Sequence, residues 1–373
     1  MLPETAGPGT TRKHRQVYSS LSREIHLGRW KLGERLPSEA QLVERFGVSR
    51  ITIGRAVRDL QAAGLVERRA GSGTFVKRGP AAGGCSFGLL IPNREETAIF
   101  ETIWEGMMAS PRARGHALLW GSAAAQRPKE ERAWELCLQY IEREVSGVFF
   151  APLELTPSKD EYNRRIVRAL DAARIPVVLL DRPLVPYPEA GRHDLIGIDN
   201  RRAGHVITEH LLRLGCRRVL FVGPENAAST VDEREAGYRE ALYAAGVQFD
   251  RALAHRMDAD DIESVKAVMQ SGRPEGIACA NDRTAGHLMH SLLQLEYRIP
   301  HDVRLVGIDD VDYASLLPVP LTTLRQPTRE IGEAALAVML ERLARRDMVP
   351  REVRLSCELI VRESCGARLA AGS

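Results

Sequence analysis

The chain of 373 residues holds only six cysteines, at positions 85, 137, 216, 279, 357 and 365. None sits in a C-x-x-C pair and none has histidine partners at zinc spacing. A disulfide scaffold and a structural zinc module are therefore excluded, and no metal ligand set is expected. Scattered thiols of this kind pack as small hydrophobes in a reducing compartment, so a cytoplasmic location is expected. No apolar run approaches the roughly 18–20 residues that a membrane helix needs. The opening MLPETAGPGTTRKHRQ lacks an apolar h-region, so neither a membrane partner nor a secretory leader is expected. Catalytic signatures are missing as well: there is no H-E-x-x-H, no G-x-S-x-G and no Walker A loop, and no cofactor motif replaces them.

What is present is a division of charge. Residues 1–80 hold 15 Lys and Arg against 7 Asp and Glu, while the remainder holds 37 against 42, within an overall charge of +3. A small basic head on a mildly acidic body is the footprint of nucleic-acid binding by the head alone. The length implies two or three domains.

In the head, Val17, Leu21 and Ile25 recur at helical spacing and predict a helix over 12–28. Ser38 with Gln41 three residues on forms a capping box that opens a second helix, closed by Gly47. Ser49 opens a third over 50–63, with Ile53, Val57 and Leu60 as its apolar stripe. Two short strands around a Gly-containing turn follow, in LVERR-AGSG-TFVKR. This order is a winged helix-turn-helix over 12–78. Its third helix has a free N-terminal tip that fits a major groove of duplex DNA. Ser49 and Thr52 can bond phosphate or base edges, Arg50 can fork onto guanine, and Arg55 and Arg58 lie on the outer side. Arg68 and Arg69 flank the turn of Gly71, Ser72 and Gly73 in the wing, and Ser38 counts with the DNA-facing set. Residues 36–76 resemble the GntR-family DNA-binding signature nearly end to end. The resemblance implies contacts at Ser49, Arg50, Thr52 and Gly71. It also marks two departures, Ala40 and Gly54, where the family often carries arginine.

A Pro/Gly/Ala linker, 79–86, leads into an alternation of short apolar strands and helices, which predicts parallel sheets covered on both faces. RIPVVLLDR and RIPHDVRLVGIDD echo each other, and the strand in each finishes in acid, at Asp181 and at Asp309, suggesting two α/β lobes across a cleft. Polar residues fall beyond the carboxyl ends of the strands, where open α/β sheets bind ligands: Asp181, Arg182, Asn281, Asp282 and Asp309, with Arg234 soon after another strand. Carboxylates, amides and a guanidinium suit a ligand rich in hydroxyls. Phe100 and Trp104, one helical turn apart, are either an aromatic wall for a sugar ring or part of the core.

Residues 87–366 resemble the LacI/GalR-type effector domain, itself similar to periplasmic sugar-binding proteins. The likeness implies effector contacts at Asp181, Arg234, Asn281, Asp309 and Gln326, with Arg182, Asp282 and Phe100 nearby. It implies a first lobe of 87–197 and 326–347 and a second of 198–324 and 350–366, between a flexible 1–11 and a tail of 367–373. The expected fold is thus α/β: a winged helix-turn-helix followed by a two-lobed periplasmic-binding-protein-like domain. A GntR-type head on such a body is similar to bacterial arabinose-responsive repressors. That likeness implies a homodimer on a pseudo-palindromic operator, controlled by a small polar effector, most simply a monosaccharide. A purine or other metabolite as effector, and activation instead of repression, remain alternatives. An enzyme acting on a sugar through Asp181 and Asp309 is a remote one.

Overall fold

The computed structural model describes residues 8–26, 30, 33–62, 65–69, 72–77, 84–91, 99–121 and 127–367. In the head, helices α1 (Pro8–His26), α2 (Glu39–Phe46) and α3 (Arg50–Ala62) precede the hairpin β1 (Val66–Arg69) and β2 (Gly73–Val76). The first helix starts at Pro8, four residues before the expected 12. The capping box forms: the Gln41 amide donates to Ser38 Oγ at 3.3 Å, and the Ser38 amide donates to Gln41 Oε1 at 2.9 Å. Val17, Leu21 and Ile25 of α1, Leu42 of α2 and Ile53, Val57 and Leu60 of α3 close one core, to which Val66 and Val76 add the base of the wing. Burying that stripe fixes which side of α3 faces outward. Gly71, Arg78 and residues 79–83 of the linker lie outside the described residues.

The body carries two six-stranded sheets. The first contains β3 (Ser86–Leu90), β4 (Ala117–Trp120), β5 (Gly147–Phe150), β6 (Val177–Leu180) and β7 (Asp194–Ile198). The second contains β8 (Val219–Gly223), β9 (Ala254–Arg256), β10 (Gly276–Cys279), β11 (Arg304–Asp309) and β12 (Thr322–Arg325). Two late strands, β13 (Glu352–Leu355) and β14 (Glu358–Ile360), complete the orders β13-β7-β6-β5-β3-β4 and β14-β12-β11-β10-β8-β9. Every pairing is parallel except β14 with β12. The central strands GVFF and VVLL are buried at every position, as strands covered by helices on both faces must be. Helices α4 (Ile99–Ala109), α5 (Lys129–Glu142), α6 (Lys159–Ala172), α7 (Asn200–Arg213), α8 (Ser229–Ala244), α9 (Ile262–Gly272), α10 (Asp282–Gln294) and α11 (Thr328–Ala344) supply those layers.

The chain crosses between lobes after β7, after β12 and between β13 and β14. The first follows Ile198 and the second follows Arg325. The third corrects the expected boundary at 350: the stretch REVRLSCELIV, residues 351–361, is divided between the lobes. Its first half pairs with β7 of the first lobe and its second half with β12 of the second. Its alternating exposure suits a sheet edge at each end, and so gives no sign of a break at Ser356 and Cys357. Strand β9 was also invisible, because AHR is short and half-buried throughout.

After each of the first two crossings the next helix packs on a helix of the lobe it enters: α7 on α8, and α11 on α4. Both contacts are backbone-close. A Cβ on Gly204 would stand 1.9 Å from the Arg234 carbonyl oxygen, and one on Gly332 would stand 2.0 Å from that of Ile103. The glycines occur at the same place in α7 and α11, so the two halves repeat at the level of packing. They also seat α8, and with it Arg234, against the crossover. Among the described residues no helix is long and apolar enough to cross a membrane.

Candidate functional site

On α3 the inward stripe leaves Arg50, Ile51, Arg55 and Arg58 exposed, with Gly54 half-buried among them. Arg50 extends into solvent and its Nε donates to Glu39 Oε2 at 3.3 Å. Arg68 of the wing pairs with the same carboxylate, so Glu39 gathers a helix-tip and a wing guanidinium. Arg58 Nε donates to the Gly54 carbonyl at 3.3 Å. Arg69 pairs with Glu67 and lies over the Phe75 ring, 4.6 Å from its centroid. Ser72 is exposed in the turn, its amide donating to the Arg69 carbonyl at 3.0 Å, and Gly73 takes φ +115° as the turn requires.

Two expected contacts change. Thr52 is 4% exposed, and its hydroxyl lies 2.9 Å from Ser49 Oγ. It sits on the inward side of the helix beside Ile53 and is removed from the groove-facing set. Ser49 is exposed, but its hydroxyl accepts the Thr52 amide at 3.3 Å and works as a helix cap. Ser38 is likewise committed to its capping box. Ile51 was missed; the one available signal is an apolar residue out of phase with the stripe.

In the body, Asp181 and Asp309 end the equivalent strands β6 and β11, and both take positive φ, +68° and +130°. Non-glycine residues held there carry backbone strain of the kind found at ligand clamps. On the first-lobe side, the Arg182 guanidinium is buried between Asp181, whose Oδ2 accepts from its Nε at 3.0 Å, and Glu154. It also lies 5.7 Å from the centroid of the Phe100 ring. Asp181 Oδ1 is buried and accepts no hydrogen bond among the described residues. On the second-lobe side, Arg234 donates from Nε to Asn200 Oδ1 at 2.8 Å and from Nη1 to the Ala280 carbonyl at 2.6 Å. Gln326 donates through Nε2 to Asp309 Oδ1 at 2.7 Å, and its own Oε1 is buried without a donor. Asn281 caps α10, accepting the Thr284 amide at 2.8 Å. Across the mouth, the Leu155 amide donates to the Asn226 carbonyl at 2.7 Å.

Removal from water pushes the Asp309 carboxyl well above the ordinary range. The Arg234 guanidinium works against that rise, while the neighbouring Asp282 and Asp181 carboxylates add to it. Asp282 is also raised, chiefly by burial. It is a second correction: it is completely buried, with Oδ1 accepting from the Thr323 hydroxyl at 2.5 Å and Oδ2 from the Val311 amide at 3.1 Å. Both oxygens are spent fastening the loop after β11, so Asp282 supports the site from behind. Trp104 is half-buried and packs edge-on against Trp120, with centroids 5.3 Å apart, at the margin of the lobe core. The structure thus gathers Asp181, Arg182, Arg234, Asn281, Asp309 and Gln326 around the cleft and adds Glu154 and Asn200, while Phe100, 2% exposed, belongs to the hydrophobic core behind Arg182. Glu154 follows β5 as Asp181 follows β6, a strand-end position open to sequence reading. Asn200 has no signal of its own. Among the described residues no group of His, Cys, Asp and Glu is placed to hold a metal ion.

Comparison with known proteins divides the chain the same way. Residues 13–76 match the model of bacterial regulatory proteins of the gntR family, and 208–365 match a periplasmic binding protein-like domain. The chain is similar to the arabinose metabolism transcriptional repressor of Geobacillus stearothermophilus, 26% identical over 366 residues, which is 95% of this chain and 98% of that one. The HTH-type transcriptional repressor PurR of Photobacterium profundum is 29% identical over 194 residues, 51% of this chain and 57% of its own. A LacI family transcriptional regulator from Enterococcus faecium, solved with bound ribose, has the same fold. Its TM-score is 0.60 at 23% identity, over 75% of this chain and 98% of that one. These relatives and neighbours are regulators and not enzymes.

Proposed function

We propose how this DNA-binding transcriptional regulator, a gntR-type head joined to a periplasmic-binding-protein-like body, is controlled. It is a repressor whose grip on a duplex operator is set by a monosaccharide in the cleft between the lobes. Two copies bind a pseudo-palindromic site, one head to each half-site. The observation that carries the reading is the pair of buried, donorless acceptors, Asp181 Oδ1 and Gln326 Oε1. A buried acceptor left unpaired costs about 1–3 kcal/mol, and a ligand bringing hydroxyl donors recovers it. Arg182 is already neutralised by Asp181 and Glu154, which leaves Arg234, bonded to neutral groups, as the cleft guanidinium able to donate to a ligand oxygen. The relative named for arabinose and the neighbour that holds ribose support the sugar class.

A ligand bridging the lobes changes their angle, and the crossovers carry that change toward the heads. It acts only through its different affinity for the two states, typically about 1–3 kcal/mol of coupling. The likeness to PurR favours a purine as the second reading. A thermal-shift titration of the full chain against monosaccharides and purines separates the two. The expected result is a sugar that raises the melting temperature by several degrees, an effect lost in Asp181→Ala and in Arg234→Ala. A shift given by purines alone, or a sugar shift intact in both variants, overturns the assignment.

A further inference from the structure

Among the described residues of the head, Ile51 is the only large hydrophobic side chain left in water, 78% exposed. It is the second residue of α3, between Arg50 and the inward-turned Thr52. The exposed residues 50, 51, 55 and 58 share one face with Gly54. At about 100° per residue, Gly54 lies roughly 40° from Arg50 and 60° from Ile51, one turn further along. A Cβ built on Gly54 would meet nothing within 4 Å, so no neighbour in the protein demands glycine there. Its backbone angle does not demand it either, since φ is not positive. A helix interior disfavours glycine, and water disfavours an isoleucine side chain. Neither residue is explained by the head's own fold.

An approaching base edge explains both. The guanidiniums of Arg50, Arg55 and Arg58 suit phosphates and guanine, yet none offers an apolar surface. In the major groove the 5-methyl group of thymine is the one apolar feature that carries sequence information. The γ- and δ-carbons of Ile51 form one wall for such a methyl. The bare backbone at Gly54 lets the base edge come nearer to the helix than any side chain would permit. We propose that Ile51 and Gly54 form an apolar slot that seats a thymine methyl and so fixes one base pair of each half-site. This rests on the reading of the head as an operator reader, and it adds to that reading a base and the atom recognised.

The test begins with full-length chain and a randomised duplex library, from which bound sequences are enriched. Each thymine of the enriched half-site is then replaced singly by deoxyuridine, which removes only the methyl. The wild-type chain should lose about threefold to fivefold in affinity at one thymine of each half-site, the scale of one buried methyl. Ile51→Ala should bind the thymine and deoxyuridine duplexes equally. Gly54→Ala should also lose the methyl preference while melting no lower than wild type, which separates a filled slot from a damaged head. Indifference to deoxyuridine at every thymine, or a preference that survives in Ile51→Ala, overturns the slot. Failure to enrich any sequence overturns the operator reading itself, and the slot with it.

Discussion

Asp309 is placed where a carboxylate is costly. It is half-buried near Asp282 and Asp181, with Arg234 as partial compensation and one hydrogen bond from Gln326. Its carboxyl is raised in the folded chain, so its contribution to stability is largest at low pH and is lost as pH rises through the raised value. Asp309→Asn should therefore melt higher than wild type, with a larger gain at pH 8 than at pH 5, while response to the sugar disappears. Melting curves at the two pH values check the sign; a gain larger at pH 5 would contradict it. Arg50 belongs to the same scale. Its side chain is 81% exposed and held only by Glu39, so Arg50→Ala should leave the fold intact. It should weaken operator binding by about 1–3 kcal/mol and relax choice at one base pair if it forks onto guanine. Binding isotherms on single-base variants of the enriched site measure both effects. Sequence pattern identified which polar residues gather near the cleft, because strand ends are visible as apolar runs stopping at Asp181 and Asp309. It could not say which polar atoms were already spent. Asp282 is consumed by Thr323 and Val311, distant in sequence, whereas Thr52 turns inward to Ser49, its neighbour one helical turn back.

Helices and strands were legible wherever local chemistry decides them. The Ser38–Gln41 box and Gly47 bound α2 as read, and the strands VVLL and GVFF stand where continuous apolar runs place them. What escaped was the assignment of edge strands. The run from 351 to 361 has one pattern but two partners, and only the relative position of the lobes divides it at Ser356 and Cys357. The glycines of the exchanged helices make a prediction at this scale. Gly204→Ala forces a methyl against the Arg234 carbonyl, which stands 1.9 Å away, so α7 and α8 must separate. Backbone has no rotamer to yield, and a loss of about 1–3 kcal/mol is expected, as for other overpacked sites. Because α8 carries Arg234, the effector response should weaken with it. Gly54→Ala is the opposite case: the position is open, and a gain of up to about 1 kcal/mol in helix stability is expected. Chemical denaturation of the two variants should therefore move in opposite directions.

Over the whole molecule, function follows from separation. The net positive charge gathers in the first eighty positions, and the cleft carboxylates lie in the acidic remainder. Phosphate contact is thereby confined to one end, and its affinity should fall steeply with salt. The effector cleft, enclosed within the body, should respond far less to salt. Two lobes related by an internal repeat are joined by three crossings, and the proposed control requires their angle to change without unfolding. The measurement that tests this division most directly is a fluorescence titration of full-length chain onto an enriched operator duplex, with and without a saturating amount of the sugar found by thermal shift. The account predicts a dissociation constant raised about 5- to 150-fold by the sugar, and no change in Arg234→Ala. Superimposable isotherms with and without the sugar in the wild-type chain would contradict it.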